Sequence, residues 1–437
     1  MAEKRLTSYQ VIILGFLGII LLGSLLLSLP FATRQRVCAP YSDALFTAVS
    51  AVCVTGLVVQ DTGTYWSGFG QGVILALIQI GGLGVVTGAW SFYLLAGRPI
   101  SLKQRSTMQD AISAPQVGGI VRLTGFLLKG VLLIELLGSI VLCFVFGRQF
   151  GLGRGIWMGV FHSISAFCNA GFDLMGGYTS LSAYRSNPAV VLTVCCLILV
   201  GGLGFLTWAD LKSCGWHVKR YRMQTKIILV STLLLVVMPA VLFAALEFHD
   251  LHGGERVLAA LFQAVTPRTA GFNTVDLQQM SQAGQGLIIL LMLIGGAPGS
   301  TAGGMKLTSA AVLLSTAWSV CLRKEHTQFF GRRVQQQTVR TALTIGLLYL
   351  TMFVFGGLIL SRAEGLPLLP CLFETASAIG TVGLSLGLTP GLGSLSRIIL
   401  MLLMFVGRVG SLTLIYAALS GMRSSAARLP EEVCAVG

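Results

Sequence analysis

The sequence predicts an all-α polytopic membrane protein, with eight transmembrane helices arranged as four tandem helix, pore-helix, filter-loop, helix repeats around one pseudo-fourfold pore. Three observations predict it. Of 437 residues, 54% are hydrophobic and only 11% charged, with a mean hydropathy of +0.82, well outside the range of soluble domains. Apolar stretches near twenty residues, the length that crosses about 30 Å of hydrocarbon, recur along the whole chain. Finally, a glycine-bearing motif returns four times at nearly constant spacing.

The apolar stretches occupy residues 11–29, 72–96, 123–146, 189–211, 227–246, 286–318, 338–360 and 397–419. Lys4 and Arg5 precede the first, as in a signal peptide, but the run is too long and has no small-residue cleavage site, so it is read as a membrane helix. The sixth stretch is too long for one span and is broken by a glycine-rich segment. After the first, third, fifth and seventh stretches come short semi-apolar runs at 41–54, 156–168, 255–265 and 369–379. A helix of about ten residues covers only half the hydrocarbon, so these are re-entrant half-helices.

Each short run contains a phenylalanine followed by a glycine ten residues on, or nine in the third: Phe46 to Gly56, Phe161 to Gly171, Phe262 to Gly271 and Phe373 to Gly383. Successive glycines are 115, 100 and 112 residues apart, close to a quarter of the 437-residue chain. The repeats are therefore placed at 1–97, 98–211, 212–322 (with the interrupted second helix) and 323–422, with a tail at 423–437. A second cluster follows in register: Gly81-Gly-Leu-Gly84, Gly201-Gly-Leu-Gly204, Gly295-Gly296 and Gly407-Arg-Val-Gly410. Close helix packing would explain any one cluster; their common register argues for a shared role.

Non-helical backbone at membrane depth is tolerated only where it is buried in protein or lines a watery cavity. Four half-helices aiming their carboxyl ends at one axis bring about half a negative charge each, which favours a cation. The glycine loops that follow can turn their carbonyls to that axis, and such rings replace the hydration shell of K⁺.

The set Val-Thr-Gly-Leu, Asn-Ala-Gly-Phe, Thr-Ala-Gly-Phe and Thr-Val-Gly-Leu, with Thr266-Pro-Arg-Thr-Ala-Gly-Phe272 and Asp61-Thr-Gly-Thr, resembles the Trk/Ktr/HKT superfamily of potassium transporters from about residue 9 to 420. Eight spans are similar to its KtrB subfamily. The resemblance implies K⁺ uptake, often Na⁺-dependent, by a homodimer carrying a cytosolic KtrA-like nucleotide-binding ring. It implies a K⁺ filter at Val54, Thr55, Gly56, Asn169, Ala170, Gly171, Thr269, Ala270, Gly271, Thr381, Val382 and Gly383. Serine at the first filter glycine accompanies Na⁺ transport in the family, so Gly56 is read as K⁺-selective. One glycine per loop predicts a short carbonyl stack.

The break in the sixth stretch comprises Gly295, Gly296, Ala297, Pro298, Gly299, Ser300, Thr301, Ala302, Gly303, Gly304, Met305 and Lys306, a composition that cannot continue a helix. The resemblance implies an intramembrane gating loop there, and a tight turn between two short helices is the alternative. It is not a phosphate-binding P-loop, because Gly-Lys adjacency and the following hydroxyl are missing. Arg408 replaces a glycine in the last span, where a charge costs about 2.5 to 3.5 kcal/mol, so it is expected to face the loop and hydrogen-bond its carbonyls.

Asp61, Asp173 and Asp276 follow their filter glycines closely, either concentrating cations at the outer mouth or capping loops and pairing with Arg268. Arg268 itself is expected to brace the pore-loop backbone with an acid partner. Glu135, mid-span, is expected to hydrogen-bond a neighbouring helix. Ten cysteines without a Cys-x-x-Cys pair and five scattered histidines suggest neither catalysis nor a metal centre. No enzyme activity, organic cofactor or nucleic-acid partner is expected, K⁺ being cargo bound only at the filter and Na⁺ a possible second ion. Four repeats running in the same direction favour a gated pore over a secondary K⁺ or Na⁺ transporter with alternating access, which tends to use inverted repeats.

The net charge of +14 then finds a place. The face carrying the termini and inter-repeat linkers holds 19 Lys and Arg against 6 acids, and the pore-loop face 9 against 9. The linker face is thus cytoplasmic in a bacterial inner membrane, with both termini inside, facing anionic lipid headgroups and a regulator.

Overall fold

In the computed structural model the described residues are 7–84, 109 and 119–418. They form α1 (Ser8–Ser28), α2 (Tyr41–Val52), α3 (Gly68–Leu83), α4 (Ile120–Phe150), α5 (Leu152–Phe167), α6 (Pro188–Gly202), α7 (Phe205–Cys214), α8 (Met223–Leu246), α9 (Gly253–Val265), α10 (Gln282–Leu293), α11 (Leu307–Cys321), α12 (Gln336–Glu364), α13 (Leu368–Gly380), α14 (Ser394–Val409) and α15 (Ser411–Ala418). A two-residue hairpin, β1 (Gln328–Phe329) with β2 (Arg332–Arg333), lies between α11 and α12. The cycle of long helix, half-helix, turn and second helix occurs four times.

The four first helices, α1, α4, α8 and α12, are unbroken and apolar enough to span a bilayer. Their outward faces carry exposed leucine, such as Leu22, Leu133, Leu234 and Leu347, as lipid-facing helices should. A capping box starts α1, with Gln10 N donating to Thr7 Oγ1 and Thr7 N to Gln10 Oε1.

The second helices differ from the expected straight spans, because each of them ends or breaks at its second glycine cluster. α3 ends at Gly84, α6 turns by 92° into α7 at Gly204, α10 gives way to the loop before α11, and α14 ends at Gly410. Gly84, Gly204 and Gly410 have φ of 85°, 86° and 94°, a region that β-carbon-bearing residues resist. The interruption read only in the third repeat is therefore shared by the second and fourth, and in the first the described helix ends at the matching glycine. The predicted continuation of the second span to residue 96, part of the linker charge and the tail at 423–437 lie outside the described residues.

The half-helices α2, α5, α9 and α13 form the centre of the molecule. Phe46, Phe161, Phe262 and Phe373 are fully buried there. The first and last units meet in the ion pair of Arg397 Nη1 with Asp43 Oδ1 at 2.8 Å, which Gln60 Nε2 completes by donating to Asp43 Oδ2 at 2.8 Å.

Candidate functional site

The site starts where the half-helices end. One to four residues beyond each helix, Val54, Asn169, Thr269 and Thr381 adopt φ between 50° and 67°, and two residues later Gly56, Gly171, Gly271 and Gly383 adopt φ between 69° and 96°. The residue between them keeps negative φ. That alternation turns successive carbonyls toward one side, unlike an extended strand, where they alternate.

The four glycines close a ring. A Cβ on Gly56 would strike Ala170 O, one on Gly171 would strike Ala270 O, one on Gly271 would strike Val382 O, and one on Gly383 would strike Thr55 O. Each glycine thus abuts the backbone of the next unit, and the fourth returns to the first. Between the second and third units the side-chain amide of Asn169 lies 3.1 Å from Thr269 Oγ1.

The amides of these turns point away from the ring. Thr55 N donates to Ser50 O and Gly56 N to Ser50 Oγ, at 2.8 and 3.1 Å. Val382 N and Gly383 N use Ser377 O and Oγ in the same way, at 2.8 and 3.0 Å. In the other two units the hydroxyl donates instead, Ser165 Oγ to Phe172 O and Thr266 Oγ1 to Phe272 O. Among the described residues no hydrogen bond takes the carbonyls of Thr55, Ala170, Ala270 or Val382. The four hydroxyls were missed as functional residues, although each stands four positions after its phenylalanine in the sequence.

On one side the ring opens into a cavity of about 460 Å³, lined by all four glycines and by Asp61, Asp173 and Asp276. The acids also tie down loops: Asp61 Oδ1 accepts from Gly63 N, Asp173 Oδ1 from Met175 N, and Asp276 Oδ1 from Gln278 N. Burial pushes the Asp173 carboxyl up to about 7 against that Met175 bond, with the charge of Asp61 adding to the rise. Arg268 is not paired with any of them. It is buried, with Nη2 3.3 Å from Thr232 Oγ1, and among the described residues it has no acid partner, because its side chain runs behind the turn toward α8.

On the other side lies the segment from Gly295 to Lys306. A Cβ on Gly303 would strike Thr381 Oγ1, and one on Gly304 would meet Gly380 O, so the segment sits directly against the fourth turn. It is stitched to the second unit by Ala297 N to Gly202 O at 3.0 Å, Phe205 N to Gly299 O at 2.7 Å and Thr301 Oγ1 to Phe167 O at 3.1 Å. Gly304 N reaches Gly407 O of the fourth unit at 3.1 Å, and Lys306 Nζ folds back on Ala302 O at 2.8 Å. Ala297 and Ala302 are buried and Pro298 and Ser300 half-buried; Ser300 Oγ donates to Ala297 O at 2.7 Å.

Arg408 meets the loop as expected, donating from Nη1 to Thr301 O. Its other nitrogen, Nη2, donates to Gly81 O and Gly82 O of the first unit. One guanidinium thus joins the end of the fourth unit to the loop of the third and the helix break of the first. Three of the second glycine clusters also gain a reason: a Cβ on Gly81, Gly201 or Gly407 would strike Val52 O, Phe167 O or Ile379 O, carbonyls at the ends of the half-helices. Close approach there requires glycine. Glu135, on α4, accepts from Gln79 Nε2 of α3 at 3.2 Å, the inter-helix bond expected of it.

The family model described as cation transport protein, TrkH, matches residues 7–426. The chain is 39% identical to the potassium/sodium uptake protein NtpJ of Enterococcus hirae, over all of this chain and 98% of that one. It is 38% identical to the Ktr system potassium uptake protein B of Bacillus subtilis, over 94% and 93%, and 36% identical to that of Vibrio alginolyticus, over 98% and 94%. The crystal structure of the potassium transporter TrkH from Vibrio parahaemolyticus superposes with a TM-score of 0.73 over 95% of this chain and 86% of that one, at 20% identity, a likeness of fold.

Proposed function

Because the chain belongs to the TrkH family of cation transport proteins, we propose that it takes up K⁺ across the bacterial inner membrane through a channel-like pore whose filter is the glycine ring. The carrying observation is that ring: four positive-φ glycines abut one another in cyclic order, with the amides of Gly56 and Gly383 bound to hydroxyls behind it and the neighbouring carbonyls of all four units left without donors among the described residues. A dehydrated cation is what such carbonyls can serve. The half-helix carboxyl ends add negative potential at the same point.

The segment Gly295 to Lys306 is the gate, held across the path by bonds to the second and fourth units and by Arg408. The acid-lined cavity is the outer mouth and the basic linker face the cytoplasmic one, with both termini inside. The four repeats follow the boundaries at 97, 211 and 322. The chain works as a homodimer in anionic lipid under a cytosolic KtrA-like nucleotide-binding ring, and uptake depends on Na⁺; of these, the role of Na⁺ draws support from the name of one relative, a potassium/sodium uptake protein, and the regulatory partner from that of another, a Ktr system protein.

Growth of K⁺-uptake-deficient bacteria at low K⁺, with and without Na⁺ and with a matching regulator, tests the proposal. Restored growth is expected. A well-expressed chain that leaves the cells dependent on high K⁺ overturns it.

A further inference from the structure

The residue after each half-helix phenylalanine is polar and fully buried: Thr47, His162, Gln263 and Glu374. In the second and fourth units this residue does the same thing. His162 Nε2 accepts from Leu174 N at 3.4 Å and Glu374 Oε1 accepts from Leu386 N at 3.1 Å, and both amides stand three residues beyond the ring glycine. Glu374 is further filled by Ser385 Oγ and Thr389 Oγ1, each at 2.6 Å. His162 Nδ1 lies 2.7 Å from Met158 O, so it carries the proton and leaves Nε2 bare to accept. The imidazole sits between the rings of Phe146 and Phe272, with centroids at 5.3 and 6.3 Å.

The first and third units are held differently. Thr47 Oγ1 turns back to Asp43 O of its own helix, and Gln263 bonds nothing in the protein among the described residues. Their post-ring segments are gripped from the front by an excursion of the second unit: Tyr178 Oη donates to Val59 O at 2.9 Å, and Asn273 N to Ser180 Oγ at 3.1 Å.

We propose that His162 is a positioning residue for ion selection, one of two diagonally opposed buttresses with Glu374 that hold the second and fourth loops from behind and reduce the fourfold ring to twofold support. It needs a hydrogen-bond acceptor, not a charge, at Nε2. The inference rests on reading the glycine ring as the K⁺ filter.

The test is the K⁺ over Na⁺ flux ratio in proteoliposomes of the full chain, for wild type, His162→Leu, His162→Gln, Thr47→Val and Gln263→Leu. Losing a buried acceptor should lower the ratio about tenfold in His162→Leu. His162→Gln, which restores an acceptor oxygen, should stay within about twofold of wild type, as should Thr47→Val and Gln263→Leu. If His162→Leu does not fold, His162→Asn, whose shorter side chain leaves the amide unmet, replaces it against His162→Gln. An unchanged ratio in the acceptor-less variant, or an equal fall in Thr47→Val and Gln263→Leu, overturns the inference. Absence of K⁺ preference in the wild type would instead overturn the filter reading beneath it.

Discussion

The glycine ring and the interrupted segment beside it are both built from glycine, and for opposite reasons. In the ring, glycine is there because four backbones touch: each Cβ would enter the neighbouring unit, and the conformation is fixed by hydroxyls at Ser50, Ser165, Thr266 and Ser377. In the segment Gly295 to Lys306, glycine and Pro298 leave the chain without regular structure, and its position comes from bonds to other elements, Arg408 among them. A backbone locked by local hydrogen bonds suits selection among ions. One held by a few distant partners can be released by moving any of them, which suits a gate.

The contrast can be broken most severely at the ring. Gly271→Ala should lower K⁺ uptake at least about tenfold, since the left-handed conformation alone costs a β-carbon roughly 1–2 kcal/mol and the new methyl also meets Val382 O. Tracer K⁺ uptake in the deficient strain measures it, and an uptake equal to wild type would show that the ring is not the narrow point.

At the loop the sign reverses. Arg408→Ala removes donors to Thr301 O, Gly81 O and Gly82 O, so K⁺ flux without the regulator should rise, by about tenfold if one charged hydrogen bond is the net loss. Flux through purified protein in liposomes reads it directly; a fall rather than a rise would assign Arg408 to support of the pore and not to closure.

A smaller effect separates the two hydroxyl arrangements. Ser377→Ala leaves Gly383 N unmet and should reduce the K⁺ over Na⁺ ratio about fivefold, whereas Ser165→Ala takes the hydroxyl donor from Phe172 O, a carbonyl beyond the ring glycine and not the ring amide itself, and should cost less. Equal ratios in the two variants would show that both hydroxyls matter only for folding.

The smallest effect belongs to the mouth. With its pKa raised to about 7, Asp173 is mostly charged at pH 8 and mostly neutral at pH 6. The apparent KM for K⁺ should therefore rise about two- to threefold on acidification across that window, and Asp173→Asn should be insensitive to it. The folding sign is opposite: a raised acid binds its proton more tightly folded than unfolded, so its contribution to stability improves as pH falls toward 7 and below.

Much of this was legible in the sequence because it was repeated. Phenylalanine and glycine nine or ten residues apart located all four turns, and hydropathy located the lipid-facing helices. The break after α6 was not legible, because Gly-Gly-Leu-Gly within an apolar run has the hydropathy of a continuous span, and neither were the end of α3 at Gly84 and the break after α14 at Gly410; only φ shows them. Arg268 was assigned an acid because sequence supplies charges without distances. Arg408 was placed against the loop by depth alone, but its second set of partners, at Gly81 and Gly82, required the helices to be bent. The alternation at Thr47, His162, Gln263 and Glu374 stood in plain view, yet four different residue types in one column look like drift until two of them are seen to take the same amide.

The ion pair of Arg397 with Asp43 joins residues 354 positions apart, and Gly383 completes the ring against Thr55 beside it. During synthesis the first turn is thus made without its neighbour. At about 5–20 residues per second the ribosome takes on the order of half a minute to supply the other edge. Until then three units form an open arc, and Asp43 is without its cation. A chain stopped before Gly383 leaves the ring open at Thr55 however well its first three units insert, so closure of the ring waits on the meeting of the two ends.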